Sequence, residues 1–150
     1  MREQDLKNFA DSTLGYFSQL TGKPAQLGVP YVKKTEDQLF SDFTGIIGIS
    51  GNHRGGMYVT ATRKFLEELL QFTGFVGAPT EDALRDMAGE LANTIAGNAS
   101  KSFGKGYDIS VPIILQGAPD KLVIKVEPPC YVLPVEWQQH KFHIVIGISP

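Results

Sequence analysis

The chain has 150 residues, the size of one domain, and its 14 Lys and Arg nearly balance its 16 Asp and Glu, which gives a formal net charge of −2. Nucleic-acid-binding domains are usually basic, with a pI often above ~9, so a pI near 5.9 argues against that class. A hydrophobic content of 42% excludes a disordered chain. The single cysteine, Cys130, excludes an internal disulfide framework and fits a reducing compartment.

The sequence shows no pattern for membrane insertion or export. No apolar run approaches the ~20 residues that span a bilayer. The start, Met1–Lys7, carries charges every few positions and lacks the apolar core of a signal peptide. No stretch rich in Pro, Gly or Ser divides the chain. We therefore expect one cytoplasmic domain over residues 1–150, with no nucleic-acid binding.

A helix and an interrupted strand are predicted first. Over about 2–20, apolar residues recur every three or four positions, which is typical of one helix face. Gly22 stands where a glycine commonly ends a helix. Over Ala25–Lys34 the side chains alternate, but Pro30 cannot donate to a strand ladder. This segment is therefore predicted as an edge strand.

A hairpin and two helices follow. Strands are predicted at Leu39–Ser50 and Met57–Ala61, joined by a glycine-rich hairpin turn over 51–56. Helical spacing resumes at Thr62–Phe72. The longest predicted helix covers about 81–103, because a capping Thr precedes it and glycines follow it.

The rest of the chain reads as β structure. Strands are predicted at 107–116, 122–127, 131–136 and 140–148, with a turn at 117–120. Helices mixed with strands on short turns favour the α+β class, with a largely antiparallel sheet packed against helices. The last strands are rich in Val and Ile, and an exposed edge there would permit pairing between two copies.

One narrow line of polar residues runs along the longest helix. Asp86, Glu90, Asn93, Gly97 and Lys101 are spaced by four, three, four and four, so they share one face. The opposite arc is apolar and must face a core. The polar line therefore faces solvent or a partner.

Two interpretations of this line remain open. Any surface helix shows a solvated polar face, and spacing alone favours that interpretation. However, Gly89 and Gly97 lie on or beside the line, and each costs up to ~1 kcal/mol relative to Ala within a helix. Asn93 is also a poor helix former. Glycines beside a carboxylate and an amide leave room for another molecule, which favours a docking surface.

These residues resemble a known signature. Asp86-x-x-x-Glu90-x-x-Asn93, continued by 94–99 and followed by Pro112, resembles the motif of the CheC/CheX/FliY phosphatases of bacterial chemotaxis. Eighteen residues, 94–111, separate Asn93 from Pro112, somewhat fewer than in the family pattern.

The likeness extends beyond the motif. The glycine-rich hairpin over 45–59 is similar to one that these domains carry before their helices, and the resemblance runs from about Gly45 to the chain end. One full motif, rather than two, resembles the CheX branch.

The resemblance implies a reaction on a partner protein. Family members hydrolyse the aspartyl phosphate of CheY, a response regulator of two-component signalling. By this likeness, Glu90 would pair with the active-site lysine of the regulator, and Asn93 would reach the acyl phosphate and orient the attacking water. The surrounding partner-binding surface would include Asp86, Gly89, Gly97 and Lys101.

The resemblance also implies what accompanies the reaction. The chain would need no cofactor of its own, since the Mg²⁺ belongs to the regulator. Members of the CheX branch pair as homodimers through their sheets, so a homodimer is expected here.

Other functions are weighed against this one. The same helix face would serve a binding module without hydrolysis, and a hollow between helix and sheet would serve a small-molecule sensor. His140 and His143 cannot share a metal ion, because residues three apart in a strand point to opposite faces. Glu68 and Gln71 on the preceding helix repeat the acid–amide spacing, but a solvated face is the expected reason there.

Overall fold

Three helices and eight strands make up the described part of the chain. The structure is a computed structural model that describes residues 2–34, 39–104, 106–117 and 129–149. Its elements, in chain order, are α1 (Glu3–Thr21), β1 (Gln26–Leu27), β2 (Tyr31–Val32), β3 (Phe43–Gly51), β4 (Arg54–Ala61), α2 (Arg63–Leu70), α3 (Glu81–Phe103), β5 (Tyr107–Ile109), β6 (Ile113–Gln116), β7 (Tyr131–Trp137) and β8 (His140–Ser149). A short 3₁₀ turn, Gln71–Thr73, follows α2. This arrangement confirms the predicted α+β class.

The strands form one antiparallel sheet in the order β1-β7-β8-β4-β3-β5, with β2 also on β7 and β6 also on β3. The prediction of a largely antiparallel sheet is confirmed. The last strands, whose edge would permit pairing between two copies if it were exposed, are covered by other strands. β8 lies between β7 and β4, and the interrupted strand near the N-terminus covers the other side of β7.

The predicted strand over 107–116 is two strands on the same neighbour, β3. The break falls at Ser110, whose N–H donates to the Gly48 carbonyl at 2.9 Å and whose Oγ accepts from the Gly48 N–H at 2.8 Å. Pro112 has no N–H and cannot continue the ladder. Of the predicted turn at 117–120 only Gly117 is described, and the predicted strand at 122–127 lies outside the described residues.

Local capping explains where the helices begin. Thr62 and Thr80 each precede a helix, and their hydroxyls accept from the N–H groups of Phe65 at 3.2 Å and Ala83 at 3.1 Å. A capping hydroxyl satisfies a donor that the first helical turn leaves without a partner. Gly104, with a φ of 79°, ends α3. The predicted bounds of α3 are therefore confirmed at both ends.

The helices pack on one face of the sheet. An aromatic cluster joins them to it: the rings of Phe65 and Phe142 stack at 4.7 Å, and Phe17 lies 5.5 Å from Trp137. On the opposite face a smaller cluster forms around Tyr58, where the Phe40 ring stacks at 5.1 Å. The sheet therefore has a thick helical layer on one side and a thin local cover on the other.

The longest helix, α3, lies very close to β3. A Cβ placed on Gly45 of β3 would come within 2.7 Å of the Ala88 carbonyl oxygen and 3.0 Å of the Ala92 Cβ. Real Cβ atoms essentially never approach backbone so closely, so this position requires glycine. The height of α3 above the sheet is set at this contact.

We predict that Gly45→Ala destabilises the protein by about 1–3 kcal/mol, because the added methyl group overpacks a contact between two backbones. The matched control is Gly15→Ala in α1, where a Cβ would meet nothing within 4 Å. That change should stabilise by about 0.5–1 kcal/mol, since alanine is the better helix former. Denaturant unfolding of both variants measures the difference, and equal effects would contradict this account of Gly45.

Candidate functional site

The site is built on α3, which is fixed at its start by a small polar cluster. Arg63 at the start of α2 pairs with Glu81 through both of its terminal nitrogens, one of them at 3.0 Å from Oε2. Gln116 of β6 donates to the same Oε2 at 2.6 Å. The hydrogen bond from Arg63 lowers the pKa of Glu81. The cluster ties the beginnings of α2 and α3 to the strand that follows Pro112.

The polar line that the sequence predicts is exposed along α3. Asp86, Glu90, Asn93 and Lys101 are exposed, and Gly97 is half-buried. The residues of the opposite arc are buried: Leu84, Met87, Ala88, Leu91, Ala92, Ile95, Ala96 and Ala99. The structure therefore brings the predicted acid and amide to one accessible face, one helical turn apart.

Gly89 does not have the place that the sequence suggests. It is buried, and a Cβ on it would meet Ile114 Cδ1 at 3.0 Å and Pro112 Cγ at 3.5 Å. The expectation that Gly89 leaves open space for a partner is wrong, because the segment before and within β6 fills that space. At Gly97, a Cβ would meet only Ile109 Cδ1, at an ordinary 3.8 Å.

Packing against Gly89 brings Pro112 beside the motif turn and exposes the residues on either side of it. Val111 is 81% exposed and Ile113 is 61% exposed. These two apolar side chains were not singled out from the sequence. The sequence feature that could have indicated them is an apolar residue on each side of a proline that interrupts a strand. Together with the polar line of α3, Val111 and Ile113 form what we term the motif surface.

Two acidic side chains on this surface make no ion pair within the described chain. Asp86 and Glu90 lie one turn apart, and neither makes an ion pair or accepts a side-chain hydrogen bond from a described residue. Like charges at this spacing destabilise a helix by ~0.2–0.5 kcal/mol. The side-chain amide of Asn93 likewise makes no hydrogen bond with the described residues.

A buried tyrosine of α1 is close enough to the acid of the motif to be affected by its charge. Tyr16 of α1 is buried, and its hydroxyl has no hydrogen-bond partner in the described residues. Burial, and then the nearby charge of Glu90, raise the pKa of Tyr16 above its ordinary value. Sequence patterns do not single out this residue, because the pattern of α1 shows only an apolar stripe.

The second acid–amide pair is not presented in the same way. Glu68 Oε2 of α2 lies 2.5 Å from His140 Nε2 of β8, so its carboxylate is already engaged. Gln71 stands at the end of α2, where the 3₁₀ turn begins. This second pair therefore repeats the spacing of the motif, but its carboxylate is bound to His140.

The described ranges contain no group of three His, Cys, Asp or Glu side chains that could hold a metal ion. In the same ranges, no helix has both the length and the apolar character needed to cross a membrane.

Comparison with known proteins identifies relatives of this fold. Residues 43–136 match the family model described as chemotaxis phosphatase CheX. A search of curated protein sequences found no significant match.

Solved structures are similar over nearly the whole chain. A protein from Desulfovibrio vulgaris Hildenborough provisionally assigned to chemotaxis has 25% identity and a TM-score of 0.83, with 97% of each chain covered. Chemotaxis protein CheX from Vibrio vulnificus has 23% identity and a TM-score of 0.81, over 97% of this chain and 99% of that one. The CheX–CheY–BeF₃–Mg²⁺ complex from Borrelia burgdorferi has 17% identity and a TM-score of 0.76, over 99% of this chain and 100% of that one.

The matched segment begins at the first residue of β3 and ends within β7, so it contains α3, the motif surface and most of the sheet. It spans well over half of the 150 residues. The chain belongs to the CheX family of chemotaxis phosphatases.

Proposed function

We propose that this protein hydrolyses the aspartyl phosphate of a CheY-type response regulator, with Glu90 and Asn93 as its working residues. The observation that carries the proposal is the exposed acid and amide, one turn apart on α3, with no partner in the described chain. Membership of the CheX family supplies the class of reaction. In the structurally similar complex from Borrelia burgdorferi, the protein bound to CheX is CheY.

Glu90 is suited to hold a lysine of the regulator. Its carboxylate lies one turn from Asp86, and the two like charges repel each other while the face is empty. An ammonium group between them would convert that repulsion into attraction and would fix the direction of docking. Lys101 lies eleven positions beyond Glu90, about three turns along the helix, so it does not neutralise this pair.

Asn93 is suited to orient the attacking water. An amide offers one acceptor and two donors, and it adds no negative charge beside a phosphoryl group. Hydrolysis of an acyl phosphate requires a water in line with the breaking P–O bond and charge compensation, with little covalent help. The amide oxygen would accept a hydrogen bond from the water and so hold a lone pair of the water oxygen toward phosphorus.

The remaining charge compensation would come with the substrate. The Borrelia complex contains Mg²⁺ and beryllofluoride, a mimic of the phosphoryl group, together with CheY. By analogy, the regulator would supply the metal ion and the acyl phosphate here. This chain would then supply only the geometry of water, lysine and phosphoryl group.

Val111 and Ile113 support a protein partner rather than a small metabolite. Both are exposed and flank Pro112 beside the motif turn. A docked regulator would cover them, which would add apolar burial and would remove bulk water from the edge of the site. The predicted homodimer and the cytoplasmic location remain predictions from the family resemblance and composition.

We predict that Asn93→Ala reduces the stimulated rate of phosphate loss by about 100-fold or more, the usual scale for losing a group that orients reactants in the transition state. The measurement is the lifetime of the phosphorylated regulator with catalytic amounts of each variant. The matched control is Asn98→Ala, which removes an amide from the same helix about 140° around from Asn93 and should retain the wild-type rate.

An equal rate for wild type and Asn93→Ala would contradict the role of the amide. A wild-type protein that binds the regulator, but does not shorten its phosphate lifetime, would instead support the non-catalytic binding module.

We predict that Val111→Ser raises the KM for the phosphorylated regulator on the order of tenfold and leaves kcat unchanged. Burial of Val111 would stabilise the bound ground state and the transition state equally, so its loss weakens binding without slowing the chemical step. The control is Val29→Ser, since Val29 is also highly exposed but lies between β1 and β2, away from α3. Steady-state kinetics of both variants would decide, and a similar KM for both would remove Val111 from the interface.

A further inference from the structure

Tyr16 has an unused hydrogen-bond donor in a buried position. The residue is only 5% exposed, and its hydroxyl has no partner in the described residues. A buried hydroxyl without a partner loses its hydrogen bonds to water and gains none from the protein, which destabilises the fold. Tyr16→Phe would therefore keep the ring packing and remove the cost. Packing alone therefore does not explain why this position holds a tyrosine and not a phenylalanine.

The packing of α1 on α3 places Tyr16 beside Glu90. Ser12 donates to the Ile95 carbonyl at 2.7 Å, and the rings of Phe9 and Phe103 lie 5.9 Å apart. As residue numbers rise along α1 they fall along α3, so the two helices run antiparallel. One turn beyond Ser12, Tyr16 therefore lies near Glu90. The charge of that carboxylate adds to the effect of burial in raising the pKa of Tyr16, as proximity requires.

The two groups have complementary needs. An ionised carboxylate only accepts hydrogen bonds, and its two oxygens can serve two donors at once. One oxygen can accept from the tyrosine below while the other receives an ammonium group above. In the bound state the hydrogen bond from Tyr16 would hold the Glu90 carboxylate in one orientation against the ammonium group.

We propose that Tyr16 is a positioning residue for Glu90: its buried hydroxyl donates to the Glu90 carboxylate when that carboxylate binds an ammonium group of the partner. The identity of that partner as a CheY-type regulator rests on the function proposed above. Tyr16 itself touches neither the phosphoryl group nor the water.

Two other tyrosines supply matched controls. Tyr58 and Tyr107 are also buried with unpartnered hydroxyls in the described chain. Tyr58 belongs to the cluster on the opposite face of the sheet, and the acid that affects Tyr107 is Asp5. Replacing either by Phe removes a hydroxyl of the same kind that does not lie beside Glu90.

The test compares Tyr16→Phe with Tyr58→Phe in binding and turnover. Binding is measured by calorimetry with the Mg²⁺-loaded, beryllofluoride-treated regulator. Tyr16→Phe should weaken binding about tenfold and raise KM by a similar factor with kcat within twofold, whereas Tyr58→Phe should leave both unchanged. In a Glu90→Ala background, Tyr16→Phe should have no further effect, because Tyr16 acts through the carboxylate. The melting temperature of Tyr16→Phe should equal or exceed that of wild type.

Several results would overturn the proposal. These are wild-type affinity in Tyr16→Phe, the same loss in the Glu90→Ala background, or a melting temperature several degrees below wild type, which would show a structural hydrogen bond. A wild-type protein that binds but does not hydrolyse removes the proposed catalytic function and leaves the affinity test decisive. A wild-type protein that does not bind any regulator of its own cell overturns both.

Discussion

The close contact of α3 with Gly45 is the constraint on which the site depends. Because Gly45 lacks a side chain, the helix backbone at Ala88 can lie almost directly on β3. Because the helix lies so close to the sheet, small side chains on its apolar arc, such as Ala92 and Ala96, are enough to fill the core between them. A helix fixed so low over a sheet cannot rotate without clashes, since packed interiors lack room for it. The opposite face, with Glu90 and Asn93, is therefore held rigidly toward the outside.

A second glycine fixes the neighbour of the helix. Gly89 lets Pro112 and Ile114 pack against the side of α3, which brings the segment before β6 next to the motif turn. The hydrogen bonds between Ser110 and Gly48 hold the same segment on β3. Glycine weakens a helix by up to ~1 kcal/mol relative to alanine. Here the loss is offset by the packing that it permits, and no partner is needed to explain this glycine.

The sequence predicted elements where local chemistry decides and missed what depends on distant neighbours. The bounds of α3 followed from Thr80 and Gly104, because caps act within a few residues. The polar line followed from helical periodicity. The burial of Gly89 did not, since periodicity says which face a residue is on and nothing about a strand about 25 positions later. The position of β8 inside the sheet and the electrostatic effect of Glu90 on Tyr16 were missed for the same reason. Both are set by the packing of segments that lie far apart in the chain.

The motif surface is rigid in position and incomplete in its interactions. Among the described residues its two acids make no ion pair and its amide makes no hydrogen bond, and Val111 and Ile113 are exposed to water. A phosphatase of regulators must bind its substrate and then release the product, so a tight complex would slow turnover. Two apolar side chains bury little area, far less than the core of a permanent interface. Most of the attraction would then come from charge, between the two acids and an ammonium group of the regulator, which gives direction and rapid association. A surface with few apolar anchors is therefore suited to a brief encounter, which lets the dephosphorylated regulator leave.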